Sequence, residues 1–131
     1  MASELNHVII HCKDRRETGR FVADLLGTEP PVEFGPFTQL STSNSVGIDF
    51  ADHIIGADAL NLAHIAFLIT EDEFDATYAR ITERSLTHWA DPGRTTLGIN
   101  HYDGGRGVYV MDPGGTVAVE FLTKPYGNPA K

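Results

Sequence analysis

The sequence predicts an α+β fold in which two βαβββ modules, at about residues 5–51 and 62–123, form a curved mixed sheet around a central cavity. The expected order of a strand, a helix and three further strands occurs twice along the chain. The run LNHVII at residues 5–10 returns as LAHIAF at 62–67, and VGIDFA at 46–51 returns as VAVEFL at 117–122. A repeated supersecondary unit is best explained by two copies that pack around a shared surface. We therefore expect the 131 residues to form one domain.

Module one starts with an alternating segment at residues 5–12, which is typical of a strand. Asp14 follows this segment, and Glu17 lies at the spacing of a capping box, so a helix is expected to begin here. Gly27 is expected to end that helix. Three short extended segments complete the module, at about residues 32–34, 37–42 and 46–51.

Module two repeats this order with one large difference. A strand is expected at residues 62–69, and Thr70 with Glu73 has the spacing of a second capping box. Further strands are expected at about residues 87–90, 108–111 and 116–122. The polar, glycine-rich stretch at residues 91–105 has no counterpart in module one. Its length favours a functional loop that closes over a ligand and determines substrate choice.

Composition and charge exclude several classes of protein. The net charge is −8, from 18 acidic and 10 basic residues, so a nucleic acid is an unfavourable partner. No apolar run approaches the ~20 residues that a membrane span needs, and the first residues lack the pattern of a signal peptide. The only cysteine is Cys12, so no internal disulfide is expected and the reducing cytoplasm is the expected location.

Strand periodicity places four polar side chains on the faces that do not pack on the helices. These side chains are His7 and Asp49 in module one, and His64 and Glu120 in module two. Polar groups among apolar neighbours are costly unless something satisfies them, and a divalent metal does so. In the alternative interpretation, each histidine is an ordinary core residue that bonds to the backbone, and Glu120 pairs with an arginine. The spacing alone leaves both interpretations open.

The paired modules resemble the vicinal oxygen chelate superfamily, which includes glyoxalase I, extradiol dioxygenases, fosfomycin-resistance enzymes and bleomycin-resistance proteins. The resemblance extends over about residues 5–125. It is most specific in the ending GGRGVYVMDPGGTVAVEF, where residues 107–121 match a pattern of the family. The resemblance implies metal ligands on the first strand of each module and on the last strand of module two.

By position in the sequence, those implied ligands are His7, His64 and Glu120, with Asp49 as a fourth ligand or a group behind the ligands. The implied cofactor is one divalent ion, which could be Fe2+, Mn2+, Ni2+ or Zn2+. Asp49 is one methylene shorter than the glutamate that the family usually has there. Two interpretations remain open: Asp49 acts through water or as a neighbour of the ligands, or it is only a polar residue at the edge of the cavity.

Other residues are candidates for contacts with a substrate. Tyr109 and His101 are the candidates for proton transfer. Candidates for substrate binding are the aromatic, cationic or flexible side chains near the expected cavity, namely Arg94, Trp89, Tyr102, Phe37, Arg106 and Met111.

The resemblance implies a metal-dependent enzyme that acts on a small oxygenated metabolite by stabilising an enolate-like or oxygen-chelated intermediate. An isomerase, a lyase and an oxygenase all remain open, and the short chain favours the first two. The alternative is a metal-free protein that sequesters a drug or metabolite, as bleomycin-resistance proteins do. We also expect a homodimer, because each module leaves an open sheet edge that a second chain can cover. Sequence does not decide whether one chain or two build the site.

Overall fold

The structure, a computed structural model, describes residues 2–125. Its helices and strands in chain order are β1 (His7–His11), α1 (Arg15–Leu26), β2 (Val32–Phe34), β3 (Phe37–Ser41), β4 (Gly47–Ala51), β5 (Ala63–Leu68), α2 (Glu71–Glu83), β6 (Gly107–Met111) and β7 (Val117–Leu122). Two short 3-10 helices lie at Ala57–Ala59 and Tyr102–Gly104.

The strands form two sheets with the same internal plan. The order is β1-β4-β3-β2 in module one and β5-β7-β6 in module two. In each sheet the first strand of the module runs parallel to the last, and the intervening strands are antiparallel. This arrangement confirms the predicted α+β fold of two matching modules, although module two has three regular strands where four were expected. No helix within residues 2–125 has the length and apolar composition that crossing a membrane requires.

The prediction of a strand at residues 87–90 is wrong, because these residues form only isolated bridges. Trp89 forms isolated bridges with Tyr109 and Leu97, and the pairing extends no further along β6 at this point. The chain turns directly afterwards, because the Asp91 carboxylate accepts hydrogen bonds from the backbone N–H groups of Thr95 and Thr96. Pro92 also lacks an N–H group for a ladder. Module two therefore has a bridged loop where module one has β2.

The helix boundaries agree with the capping signals in the sequence. The Asp14 carboxylate accepts hydrogen bonds from two backbone N–H groups in the first turn of α1. Gly27 ends this helix in the left-handed conformation, with φ of 71°. Thr70 and Glu73 exchange both bonds of a capping box at the start of α2.

The helix-facing sides of the two sheets share one apolar core. Val22 and Leu25 of α1 and Phe74 and Ile81 of α2 belong to the same buried cluster. The two helices are also joined by polar contacts: the Leu25 carbonyl accepts a hydrogen bond of 2.8 Å from Thr77 Oγ1 and one of 3.0 Å from Arg80 Nη1. The modules are therefore fixed to each other through their helices.

A buried carboxylate provides a second connection between the modules. Asp112, which is 3% exposed, follows β6 in module two. Its Oδ1 accepts hydrogen bonds of 2.9 Å from the backbone N–H groups of Thr116 and Val117, and its Oδ2 accepts one of 2.7 Å from Thr18 Oγ1 on α1. Burial, and to a smaller extent the Asp112 charge, raises the pKa of the neighbouring Cys12 thiol to about 11. One side chain thus shapes the β6–β7 turn and anchors it to module one.

Replacing Asp112 with alanine should destabilise the protein by about 2–4 kcal/mol, because two buried donors and one half-buried donor lose their acceptor. Thr18→Val removes only the bond to α1 and should cost about 1 kcal/mol. Urea unfolding followed by circular dichroism measures both values. Equal losses from the two substitutions would contradict the role of Asp112 in the β6–β7 turn.

Candidate metal centre

The strand register places equivalent residues of the two modules in matching rows. Residues directly opposite each other on neighbouring strands point to the same face of a sheet. Module one has the row Ile9, Asp49, Gln39 and Val32. Module two has the row Ala66, Glu120, Tyr109 and Trp89. His7 and His64 lie two residues before the first member of each row, so each histidine shares a face with its carboxylate.

In module two the histidine and the carboxylate are in direct contact. His64 Nε2 lies 2.9 Å from Glu120 Oε1, and Glu120 is 0% exposed. Two neighbouring ligands at about 2.1 Å from one octahedral metal are about 3.0 Å apart, so a metal ion fits this pair without a change in separation. A fully buried carboxylate beside an imidazole is also the donor chemistry that such ions prefer.

In module one the histidine and the carboxylate have separate partners. His7 Nδ1 lies 2.7 Å from Asn6 Oδ1. Because an amide oxygen only accepts hydrogen bonds, this contact has the ring donating from Nδ1, which leaves the lone pair on Nε2 for a metal. Asp49, which is 5% exposed, accepts a hydrogen bond of 2.6 Å from Gln39 Nε2.

Within residues 2–125 of a single chain, no three His, Cys, Asp or Glu side chains lie close enough to hold a metal ion. The structure therefore brings together His64 and Glu120 from the predicted ligand set, but it does not bring His7 to them. The donors present fit two of the expected ligand positions. Residues 2–125 of one chain offer no third donor of these types at this pair.

Aromatic and apolar side chains surround the His64–Glu120 pair. The Tyr109 ring centroid lies 5.8 Å from that of His64, and Tyr109 is directly opposite Glu120. Trp89 is opposite Tyr109 on the far side, and Met111 lies one step along the same face. These three predicted site residues are thus near the pair. Tyr109 is the one in ring contact with a proposed ligand.

Backbone and side-chain hydrogen bonds anchor the end of the loop at residues 91–105. Asn100 exchanges two backbone hydrogen bonds with Gly107, and its side-chain amide donates to the Ala90 carbonyl at 2.8 Å. The Tyr102 hydroxyl donates to the same carbonyl at 3.2 Å. His101 and Arg94, the other candidates in this loop, are exposed. Asn100 was not among the predicted site residues. Its Oδ1 also accepts a hydrogen bond of 3.1 Å from the Tyr102 N–H, which is the local turn that asparagine typically forms with the residue two positions later.

Arg106, a predicted substrate-binding cation, contacts two acidic residues and an aromatic residue of α2. Its guanidinium lies 2.8 Å from Glu71 and 2.8 Å from Asp75, and it stacks 4.5 Å from the Phe74 ring centroid. Hydrogen bonds from Thr123 and Arg106 hold the pKa of Glu71 below its ordinary value. Two ion pairs and one cation–π contact therefore hold the guanidinium of Arg106 against α2.

Phe37, the remaining candidate, is half-buried on the same face as Gln39. Its ring packs edge to face against His53, with centroids 5.3 Å apart. The sequence placed Gln39 on the same inward face as Phe37 but assigned no role to its amide or to His53. Gln39 could have been identified, because the hairpin register places it directly opposite Asp49.

Comparison with known proteins gives two close relatives of nearly the same length. The chain is 48% identical to "Oxidase ChaP-H1", over 97% of this chain and 100% of that one, with a TM-score of 0.88. It is 45% identical to "Oxidase ChaP-H2", over 98% of each chain, also with a TM-score of 0.88. A lactoylglutathione lyase from Agrobacterium tumefaciens shares the fold at 15% identity, with a TM-score of 0.68 over 94% of each chain. The chain matches no family model and no curated protein.

His64→Ala and Glu120→Gln should each weaken the binding of Mn2+ at least about tenfold, because each removes one donor of the close pair. His53→Ala removes an imidazole outside this pair and serves as the matched control. Isothermal titration of metal-stripped protein with Mn2+ measures the three dissociation constants. If all three variants bind as the unsubstituted protein does, the pair is not a metal site.

Proposed function

Because this chain belongs to the vicinal oxygen chelate superfamily, we propose that it is a metal-dependent oxidase that acts on a small oxygenated molecule. The observation that carries the metal dependence is the 2.9 Å contact between His64 and the fully buried Glu120. The choice of an oxidase, rather than an isomerase or a lyase, is supported by the 48% identity to a protein named an oxidase.

His7, His64 and Glu120 would hold the metal, and Fe2+ or Mn2+ is the ion that the proposed oxidase needs. Such an ion would supply a Lewis acid with open positions for substrate oxygens, together with one-electron chemistry. Two imidazoles and one carboxylate are a ligand set that leaves those positions open.

Side chains of module two would orient the substrate and move its protons. Tyr109 packs against His64, so we assign its hydroxyl the transfer of a proton to or from a substrate oxygen. Trp89 and Met111 offer an aromatic and a polarisable surface beside it. The apolar surroundings would limit the access of water to the reacting oxygens.

We further propose that a second copy of the chain completes the site. His7 lies outside the His64–Glu120 pair in one chain, so a third ligand can come from the His7 of another copy. In the described sheets, β1 and β5 each have a neighbour on one side only. Exposed apolar residues on or beside these edges, Leu5, Ile9, Leu62 and Leu68, favour burial by a partner.

The alternative function is a metal-free binding protein, and one feature favours it. A groove of about 720 Å3 lies between the modules, and its lining includes Val8, Ile10, Ile48, Phe67 and Leu68. A volume of this size accommodates a drug-sized apolar molecule. Metal content separates the two functions, since a sequestering protein would not need the His64–Glu120 pair to bind its ligand.

The proposed oxidase should consume oxygen only when it is loaded with metal. Protein purified without a histidine tag and reloaded with Fe2+ would be tested with a panel of aromatic compounds that carry two adjacent oxygens, in an oxygen electrode. We expect uptake that falls at least about 100-fold in His64→Ala, because the metal is lost. Product formed at the same rate under nitrogen would instead assign an isomerase or lyase.

Mixing two inactive variants tests whether the site is shared between chains. His7→Ala and His64→Ala should each lack metal sites when pure. After the two variants are unfolded and refolded together, about half of the dimers contain one chain of each variant. Each of these mixed dimers has one intact site of its two, so the metal content should reach about a quarter of that of the unsubstituted protein. Elemental analysis counts the sites. Metal content that stays near zero after mixing would mean that each chain builds its own site.

A further inference from the structure

The equivalent carboxylates of the two modules have different hydrogen-bond partners. Asp49 and Glu120 occupy the same position in the two sheets, directly opposite Gln39 and Tyr109 respectively. Glu120 contacts the histidine of its own module at 2.9 Å. Among the described residues, no hydrogen bond or ion pair joins Asp49 to His7. The repeat therefore preserves the position of the carboxylate but changes its partner.

Three local differences account for this change. Ala66 lies beside Glu120 and leaves space for the His64 ring, whereas the bulkier Ile9 lies beside Asp49. Asp49 is one methylene shorter than Glu120. The third difference is the cross-strand neighbour. Asp49 lies opposite an amide, Gln39, which donates to its carboxylate at 2.6 Å, whereas Glu120 lies opposite the phenol of Tyr109.

The Gln39 amide also occupies the approach to His7. A Cβ atom at Gly47 would lie 3.3 Å from His7 Cβ and 3.4 Å from Gln39 Nε2. The amide and the histidine thus lie against the same backbone position, and the glycine provides the space for both. The Gln39 amide thus lies near His7 as well as hydrogen-bonded to Asp49.

Building on the proposed function, we propose that Gln39 is a positioning residue that keeps Asp49 out of the metal coordination sphere. The protein then supplies three ligands rather than four. A charge-assisted hydrogen bond of 2.6 Å on a carboxylate that is 5% exposed is strong enough to fix the orientation of that group. The freed coordination position is available to a second oxygen of the substrate or to O2.

Binding of Mn2+ alone tests this assignment without any substrate. Asp49→Ala should bind Mn2+ within about twofold of the unsubstituted protein, since it removes no ligand. Gln39→Leu should bind Mn2+ at least about threefold more tightly, because the released Asp49 becomes a fourth ligand. The double variant Gln39→Leu/Asp49→Ala should lose this gain. Ser41→Ala, on the same strand and face, is the control.

Water-proton relaxation of the Mn2+-loaded protein gives a second readout, because it counts the exchangeable waters on the ion. Gln39→Leu should have about one water fewer than the unsubstituted protein, and the double variant should regain it. Weaker Mn2+ binding in Asp49→Ala, by about tenfold or more, would overturn the proposal. The proposal would also be overturned if Gln39→Leu had the same Mn2+ affinity and the same number of exchangeable waters as the unsubstituted protein. If Gln39→Leu fails to fold, Asp49→Ala alone still decides the number of ligands.

The outcomes for this inference and for the proposed function are distinct. Unsubstituted protein that does not bind Mn2+, or His64→Ala that binds it normally, would refute the metal site itself. Mn2+ binding that depends on His64 and also on Asp49 would keep the metal site and refute only the role of Gln39.

Discussion

The parallel pairing of the first and last strands in each module is the constraint on which the candidate site depends. Parallel neighbours need a crossover connection, which α1 and α2 help to form while they bury one face of each sheet. The opposite face then receives the alternate residues of both strands. A histidine on the first strand and a carboxylate on the last therefore share a face in both modules. Asp112, buried between the β6–β7 turn and α1, helps to hold the two modules together.

Within this symmetric frame, small differences in side-chain volume decide which donors meet. Ala66 allows His64 to reach Glu120, while Ile9 and the shorter Asp49 keep the equivalent donors of module one apart. The buried Glu120 is expensive to keep charged in an apolar environment unless a proton donor or a cation accompanies it. In the proposed site, module two would therefore contribute His64 and Glu120, and module one would contribute a single imidazole, His7.

Sequence periodicity and capping signals were sufficient to predict the fold, because each is a local property of the chain. The helix start at Thr70 and the faces of His64 and Glu120 follow from spacing alone. The absence of a regular strand at residues 87–90 could not be predicted. It depends on the hydrogen bonds of Asp91 in the following turn, and apolar periodicity does not indicate that turn. The ion pairs of Arg106 could not be predicted either, since they involve acidic residues of α2 more than 30 positions away in the chain.

The replacement of a fourth strand by a bridged loop makes the two faces chemically different. Where module one has Val32 and Gln39, module two has Trp89 and Tyr109, which are larger and aromatic. Asn100 and the Tyr102 hydroxyl both bond to the Ala90 carbonyl, so the segment after Trp89 is held close to β6. A ligand between two copies of such a chain would thus meet an amide-lined surface on one side and an aromatic surface on the other. In the proposed site, this asymmetry would give a planar substrate one preferred orientation, which a strictly symmetric repeat cannot provide.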